Sequence, residues 1–233
     1  MKFICIHKDL AQLTFLGISN CYLVRERDGF TLVDCTISGQ AAKIIKAAEE
    51  LGGNIRRILL THAHTDHIGS LDQLHAQLGP VDVAISQREA PFLHRDFSLL
   101  PNEPQQKVKG GFPGATTRPT HTLTEGELFG SLRCIATPGH TPGHFSFLDE
   151  RDGTLFAGDA LTSIGGLHRV TAPPWYFPLT KMATWDFALA ERSAKHLLDC
   201  KPKSIATGHG TFISNGTEEL SRLLGYGLAV GVA

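Results

Sequence analysis

The sequence has no large excess of charge of either sign and no long apolar run. Its 233 residues include 22 Lys or Arg and 23 Asp or Glu, which gives a net charge of −1. Proteins that bind nucleic acids neutralise phosphates with surplus basic residues, so this balance argues against such a partner. No apolar stretch reaches the ~18 residues that a membrane-spanning helix requires. The N-terminus also lacks the apolar stretch of a secretory signal. We therefore expect neither a nucleic-acid nor a membrane partner.

Cysteine is sparse as well. The five cysteines are scattered, odd in number and without a Cys-x-x-Cys pair: Cys5, Cys21, Cys35, Cys134 and Cys200. This pattern excludes a disulfide framework and predicts free thiols in a reducing compartment, which favours the cytoplasm.

Length and composition favour one folded domain. Hydrophobic residues make up 42% of the chain and charged residues 19%, as in ordinary globular proteins. The chain is long enough to bury a core. Because no linker or shift in composition divides it, we predict a single domain over residues 1–233.

Histidine, in contrast, is concentrated in one stretch. Residues 61–69, Thr-His-Ala-His-Thr-Asp-His-Ile-Gly, place three histidines and a carboxylate within six residues. The apolar run 58–60 before them predicts a buried strand, and the apolar spacing over residues 68–78 predicts a helix. The polar side chains should therefore lie at the carboxyl end of a strand, where open α/β sheets place ligand sites. Imidazole and carboxylate suit zinc, iron or manganese, and a metal would compensate the burial of so dense a cluster.

The order His-x-His-x-Asp-His after a buried strand resembles the signature of the metallo-β-lactamase superfamily. Three later segments resemble further parts of that signature: residues 136–144 its second ligand loop, residues 156–160 its bridging-carboxylate turn and residues 207–210 its last ligand. The set covers most of the chain and is far more specific than any one part. It implies an α/β fold of the four-layer αββα sandwich type, with two mixed β-sheets flanked by helices, and the order of predicted elements permits this.

The resemblance also implies a centre for two divalent metal ions. It assigns one ion to His62, His64 and His140, the other to Asp66, His67 and His209, and a bridging position to Asp159. Zinc is the expected metal, with iron and manganese as alternatives. Taken alone, Asp159 is better explained as a turn residue, and His209 likewise gains its meaning only from the other motifs.

Three further residues are weaker candidates. His144 repeats the Pro-Gly-His of His140 and is expected to orient a ligand or loop through a hydrogen bond. His168 and Tyr176 lie in an irregular stretch. They are candidates for the substrate contact that the quorum-signal lactonases of this family make through a tyrosine beyond the bridging aspartate.

The remaining pattern predicts a β-meander over residues 3–34 and a helix from Met182 to Cys200, with Met182, Trp185, Leu189 and Leu197 on its buried side. Residues 98–120 and 160–180 have no sustained period, so substrate specificity is expected there. Segment 98–120 is either an apolar wall over a pocket, formed by Leu99, Leu100 and Phe112, or a surface excursion without a role. The apolar tail 226–233 is expected to pack on the domain or on a partner subunit, which leaves monomer and homodimer open.

These residues predict a dinuclear metallohydrolase. A metal-bridging hydroxide, formed because metal coordination lowers the pKa of water towards ~7, would attack a small ester-like substrate. That substrate is expected to be a thiolester, a lactone, or a carboxylic or phosphate ester. Asp66 is expected to accept a proton and then pass it to the leaving group.

Two other functions remain open. One is a mononuclear iron dioxygenase of the persulfide type, which would use His62, His64, His140 and Asp159 and leave the second site empty. The other is a non-catalytic metal-binding or scaffold protein of the same fold. Antibiotic hydrolysis is disfavoured, since true zinc β-lactamases lack the Asp159 carboxylate.

Overall fold

The computed structural model describes residues 1–226, and its framework is a pair of mixed β-sheets. Within these residues the first sheet has seven strands in sequential order: β1 Lys2–His7, β2 Leu10–Phe15, β3 Ser19–Glu26, β4 Gly29–Val33, β5 Ile55–Leu59, β6 Asp82–Ser86 and β7 His121–Leu123. Strands β1 to β4 are antiparallel and β4 to β7 are parallel. The expected packing of the apolar tail concerns residues 227–233, which lie outside the described residues.

The second sheet, over the same part of the chain, has five strands in the order β14-β11-β10-β9-β8. They are β8 Leu128–Phe129, β9 Leu132–Ala136, β10 Phe145–Asp149, β11 Thr154–Gly158 and β14 Ser204–Thr207. Strand β14 is parallel to β11, and the other pairs are antiparallel. Two short strands, β12 Leu161–Thr162 and β13 His168–Arg169, pair separately.

Helices cover the outer faces of both sheets. They are α1 Ala41–Glu50, α2 Thr65–Ile68, α3 Leu71–Leu78, α4 Ala90–Leu93, α5 Leu179–Ala183, α6 Phe187–Asp199 and α7 Gly216–Leu223. One apolar layer joins α1 and α3 to the first sheet, a second fills the space between the sheets, and a third joins α6 and α7 to the second sheet. Three apolar layers separate four structural layers, so the predicted αββα sandwich is confirmed.

The predicted helix 182–200 is wrong at its start. The structure has two helices there, α5 and α6, separated by residues 184–186. The N–H of Trp185 donates to His140 O at 3.0 Å and that of Asp186 to Gly139 O at 2.9 Å, so these groups are not available to continue α5. Trp185 is buried as expected, but Met182 is 68% exposed.

The carboxyl ends of several strands meet at one edge of the sandwich. The loop after β5 leads into α2, and the loops after β9, β11 and β14 approach it from the second sheet. All candidate metal ligands lie on these four segments. Among the described residues, no helix is both long enough and apolar enough to cross a membrane.

Candidate metal centre

The structure brings all seven predicted ligands together, six of them in two adjoining groups of three and Asp159 between the groups. In each group the ligand atoms lie within 4.8 Å of one another, and the groups are His62, His64 and His140, and Asp66, His67 and His209. Asp159 lies between them: its Oδ2 is 3.4 Å from His140 Nε2 and 3.2 Å from His209 Nε2. All seven are buried except Asp66, which is partly exposed.

Close backbone approach makes this arrangement possible. A Cβ at Gly208, beside His209, would lie 2.3 Å from Asp159 Oδ1 and 2.5 Å from the ring of His67. Only glycine lets the strand end come this near to the bridging carboxylate.

In the first group, each histidine has one ring nitrogen committed to the protein. His62 Nδ1 lies 3.0 Å from Thr61 Oγ1, whose own hydroxyl donates to an Asp34 oxygen at 2.8 Å, so Nδ1 is the donor. His64 Nε2 donates to the carbonyl of Lys109 at 3.0 Å. The partners thereby fix which nitrogen of each ring is bare.

His140 completes this group in the same way. Its Nδ1 lies 3.0 Å from Thr184 Oγ1, and that hydroxyl donates to Thr180 O at 2.7 Å. Nδ1 must therefore be protonated, which leaves Nε2 without a hydrogen.

The second group follows the same rule. His67 Nδ1 donates to Asp34 Oδ2 at 2.8 Å, and His209 Nδ1 donates to Ile18 O at 2.8 Å. The other ring nitrogen of His209, Nε2, lies 3.3 Å from Asp66 Oδ2. Within the described residues, His67 Nε2 has no hydrogen-bond partner although it is buried.

This donor set fits metal ions. His64 Nδ1 lies 3.0 Å from both His62 Nε2 and His140 Nε2, and all three nitrogens present lone pairs. No hydrogen bond satisfies such a contact, whereas a cation at its centre does. An ion that forms bonds of about 2.0–2.1 Å to tetrahedral ligands separates them by about 3.3 Å, close to these distances.

Burial dominates the protonation of the first group. It lowers the pKa of His62 and of His140 well below the ordinary value, and that of His64 to about 4. These imidazoles are therefore neutral at pH 7 and ready to bind a metal.

Carboxylates dominate the protonation of the second group. Burial opposes a charge on His67 and His209, but the Asp159 carboxylate outweighs it with help from Asp34 at His67 and from Asp66 at His209. The pKa of His67 lies well above its ordinary value, and that of His209 rises to about 10. Without a metal, both rings are protonated at pH 7.

A cleft of about 260 Å³ opens onto the two groups. One wall is Gly110 and Gly111 of segment 98–120, and the opposite wall is α5, including the exposed Leu179 and Met182. Asp66 lines the cleft between them, and with a side chain 37% exposed it is the most accessible of the seven ligands.

Segment 98–120 contacts the first group directly. Besides the Lys109 carbonyl, Phe112 packs on the ring of His64 with the centroids 4.5 Å apart. The Thr65 N–H donates to Gly111 O at 2.9 Å. The segment is therefore not a surface excursion without contacts to the site. The expected apolar wall is wrong in its residues, because Gly110 and Gly111 line the cleft, whereas Leu99, Leu100 and Phe112 do not.

The three weaker candidates lie in different places. His144 Nε2 accepts a hydrogen bond from the Asp159 N–H at 3.0 Å, and its Nδ1 lies 2.8 Å from Thr137 Oγ1, so it holds the backbone of the bridging carboxylate. His168 is half-buried in β13, and Tyr176 is 55% exposed. Neither of these two lines the cleft.

Sequence reasoning missed several residues that orient the ligands. Asp34 follows β4, and its carboxylate accepts hydrogen bonds from His67 and Thr61. Thr184 was placed inside a helix, although it holds His140. The buried Glu89 had no signal in the sequence at all.

Comparisons with known proteins agree with this geometry. The family model described as the metallo-beta-lactamase superfamily matches residues 14–209. The chain is 45% identical over 217 residues to the Bacillus subtilis protein described as uncharacterized protein YobT. This alignment covers 91% of this chain and 93% of that protein. It is 30% identical over 189 residues to the hydroxyacylglutathione hydrolase GloC of Haemophilus influenzae, over 78% of this chain and 82% of that protein.

A solved structure agrees as well. The protein TTHA1623, in a di-iron-bound form, superposes with a TM-score of 0.64 at 26% identity, over 88% of this chain and 94% of that chain. Fold, ligand order and sequence similarity lead to the same assignment. This chain belongs to the metallo-beta-lactamase superfamily.

Proposed function

We propose that this protein is a dinuclear metal-dependent hydrolase that cleaves a small ester-like substrate: a thiolester, a lactone, or a carboxylic or phosphate ester. His62, His64 and His140 would hold one ion, Asp66, His67 and His209 the other, and Asp159 would lie between them. Zinc is the expected metal, with iron and manganese as alternatives.

One observation carries this proposal: five buried histidines each donate one ring N–H to the protein and direct the other ring nitrogen into a shared centre, and in the first group three of these nitrogens face one another as lone pairs. A structural core does not require lone pairs to face one another. A pair of metal ions does, because each ligand must offer a lone pair.

The chemistry divides between metal and chain. Bound metal ions polarise the ester oxygen and lower the pKa of water, so that a nucleophile exists at neutral pH. Asp34, Thr61 and Thr184 hold the ligand rings in their productive tautomers.

Asp66 is the proposed proton carrier. Burial raises its pKa, but the hydrogen bond with His209 and the charge of His67 outweigh this, so the pKa lies below the ordinary value. The carboxylate is therefore ionised at neutral pH and can accept a proton from the attacking water. Its position in the cleft lets it pass that proton to the leaving group.

A thiolester is the first substrate to test. The similarity to a hydroxyacylglutathione hydrolase over 78% of the chain supports this choice. Lactone and phosphodiester reporters complete the comparison, since the same centre suits displacement at a carbonyl or at phosphorus.

The test is elemental analysis of protein purified without added metal, combined with turnover of the three reporters. We expect two ions per chain and turnover that is lost in Asp66→Ala but kept in Asp199→Ala, an exposed carboxylate near His196. A single iron without ester turnover would instead support the mononuclear dioxygenase. Metal retained in the absence of any turnover would support a non-catalytic protein, and the absence of metal would refute the centre.

A further inference from the structure

A buried carboxylate lies beside the metal centre but outside both ligand groups. Glu89 follows β6 immediately before α4, and its side chain is fully buried. Burial raises its pKa to about 7, and its hydrogen bonds oppose that rise. A charged group in such a place requires partners.

Glu89 has three hydrogen-bond donors among the described residues, and each adjoins a histidine of the site. Oε1 accepts from the Ala63 N–H at 3.1 Å, and Ala63 lies between His62 and His64. Oε2 accepts from Thr141 Oγ1 at 2.8 Å and from the Gly143 N–H at 2.9 Å. Thr141 follows His140, and Gly143 precedes His144.

The same turn holds Gly143 a second time. Ser86 Oγ donates to Gly143 O at 2.5 Å and accepts from the Glu89 N–H at 3.0 Å. A Cβ at Gly143 would lie 2.4 Å from Glu89 N, so only glycine permits this approach. The turn after β6 thus binds both polar groups of the Gly143 backbone.

The two sides of this contact come from different sheets. His62 and His64 follow β5 in the first sheet, whereas His140 follows β9 in the second. Backbone ladders fix each loop within its own sheet, and the Phe145 N–H, which donates to Thr61 O at 3.0 Å, joins the two sides at one point. The Glu89 carboxylate adds hydrogen bonds to both loops, and these lie directly beside His62, His64 and His140.

We propose that Glu89 is a positioning residue that sets the geometry of the three-histidine group, and hence the affinity of that group for its metal ion. The second group, Asp66, His67 and His209, has no ligand next to a Glu89 donor and should be largely independent of it. The inference rests on the proposed metal centre, but not on any particular substrate.

The chemistry of a carboxylate is essential to this role. Glutamine has nearly the same volume but only one acceptor oxygen. In Glu89→Gln the amide NH₂ would face either the Ala63 N–H or the Thr141 and Gly143 donors. The substitution therefore turns at least one attraction into a repulsion while leaving the packing almost unchanged.

The experiment compares Glu89→Gln with Asp72→Asn. Asp72 is a matched control, because it also accepts from two backbone N–H groups and a threonine hydroxyl, those of Thr116 and Thr117, yet none of its donors adjoins a ligand. Zinc dissociation constants come from chelator competition with metal-free protein, and thermal unfolding of the metal-free protein reports the fold.

We expect one of the two zinc dissociation constants to rise about 10–100-fold in Glu89→Gln, as for other residues that orient metal ligands. In Asp72→Asn both constants should stay unchanged while the unfolding temperature falls. The rise in this dissociation constant should persist when Glu89→Gln is combined with Asp66→Ala, which alters the second group. It should vanish when Glu89→Gln is combined with His64→Ala, which already disrupts the first group. Equal loss at both sites, or lower stability with unchanged constants, would overturn the proposal.

Thr141 provides a second route if Glu89→Gln does not fold. Thr141→Val removes one donor and should weaken the same site, whereas Thr141→Ser keeps the hydroxyl and should restore it. An unaffected constant in Thr141→Val would then overturn the role of Glu89. Wild-type protein that binds no zinc would refute the metal centre itself, which separates the two failures.

Discussion

Asp34 Oδ2 accepts a hydrogen bond from His67 Nδ1 at 2.8 Å, with both side chains almost completely buried. The same carboxylate accepts from Thr61 Oγ1, and this hydroxyl accepts in turn from His62. One side chain therefore orients a histidine of each metal group, directly in one case and through a threonine in the other.

Asp34→Asn tests this link. Asparagine tolerates the left-handed φ of 61° at this position, so the turn should persist. Its amide NH₂, however, would face a donor of either His67 or Thr61. We expect metal affinity to fall about 10–100-fold in chelator competition. The control is Asp28→Asn, at an exposed carboxylate paired with Arg57, and it should leave metal affinity unchanged. Equal metal affinities in the two variants would contradict the role of Asp34.

Metal binding to the second group should release protons. The pKa values of His67 and His209 are raised, so both rings are protonated at pH 7 without metal and must lose a proton to become ligands. Affinity at this group should therefore rise with pH, by about tenfold per unit for each proton released, until the pH passes the raised pKa values. The neutral histidines of the first group should show no such rise. Calorimetry in buffers of different ionisation enthalpy would count the protons, and a count of zero would contradict this assignment.

Gly110→Ala should weaken metal binding through His64. A Cβ at Gly110 would lie 2.1 Å from His64 Nε2, and the backbone φ is 96°. Gly114→Ala is the matched control, since its φ is 78° but its Cβ would meet the flexible Arg95 side chain at 3.0 Å and Leu93 O at an ordinary contact distance of 3.5 Å. Both variants should lose about 1–2 kcal/mol of unfolding free energy from backbone strain. Only Gly110→Ala should raise a metal dissociation constant. An equal rise in Gly114→Ala would show that strain in the loop, and not the contact with His64, weakens metal binding.

The division of the predicted helix 182–200 can be tested by stability. Leu197 on α6 is fully buried, so Leu197→Ala should lower the free energy of unfolding by about 2–5 kcal/mol. Met182 on α5 is exposed at the cleft, and Met182→Ala should change the free energy of unfolding by less than about 0.5 kcal/mol. Urea denaturation measures both; a large loss in Met182→Ala would show that this side chain packs in a core.

The ligands were predictable because each has a local signal. Three histidines and Asp66 lie within six residues after an apolar run, and the other ligands also follow strands. Strand alternation and helical spacing likewise indicated most elements of both sheets. Strand β2 lies inside the predicted β-meander, but its partners are not visible in the sequence: Gln12 and Thr14 are polar yet buried, and both hydrogen-bond to Asn20.

Other features have no local signal, because distant residues create them. The break before α6 exists since Trp185 and Asp186 donate to the loop of His140. Glu89 follows a strand, where glutamate is ordinarily solvated, and its burial depends on a loop more than fifty residues away. The role of such residues can be recognised only from the packing of the two sheets against each other.

The contacts of Gln106 limit which changes to segment 98–120 the protein can accept. Its carbonyl accepts from Trp185 Nε1 at 3.0 Å, and its side chain donates to Asp186 Oδ2 at 2.8 Å, so both walls of the cleft are fastened to each other and, through Trp185, to His140. Exchanging segment 98–120 with that of a relative, as a means to change substrate range, would therefore also disturb metal retention. A transplanted loop must reproduce the Lys109 carbonyl and the Gln106 contacts before its new lining can be of use.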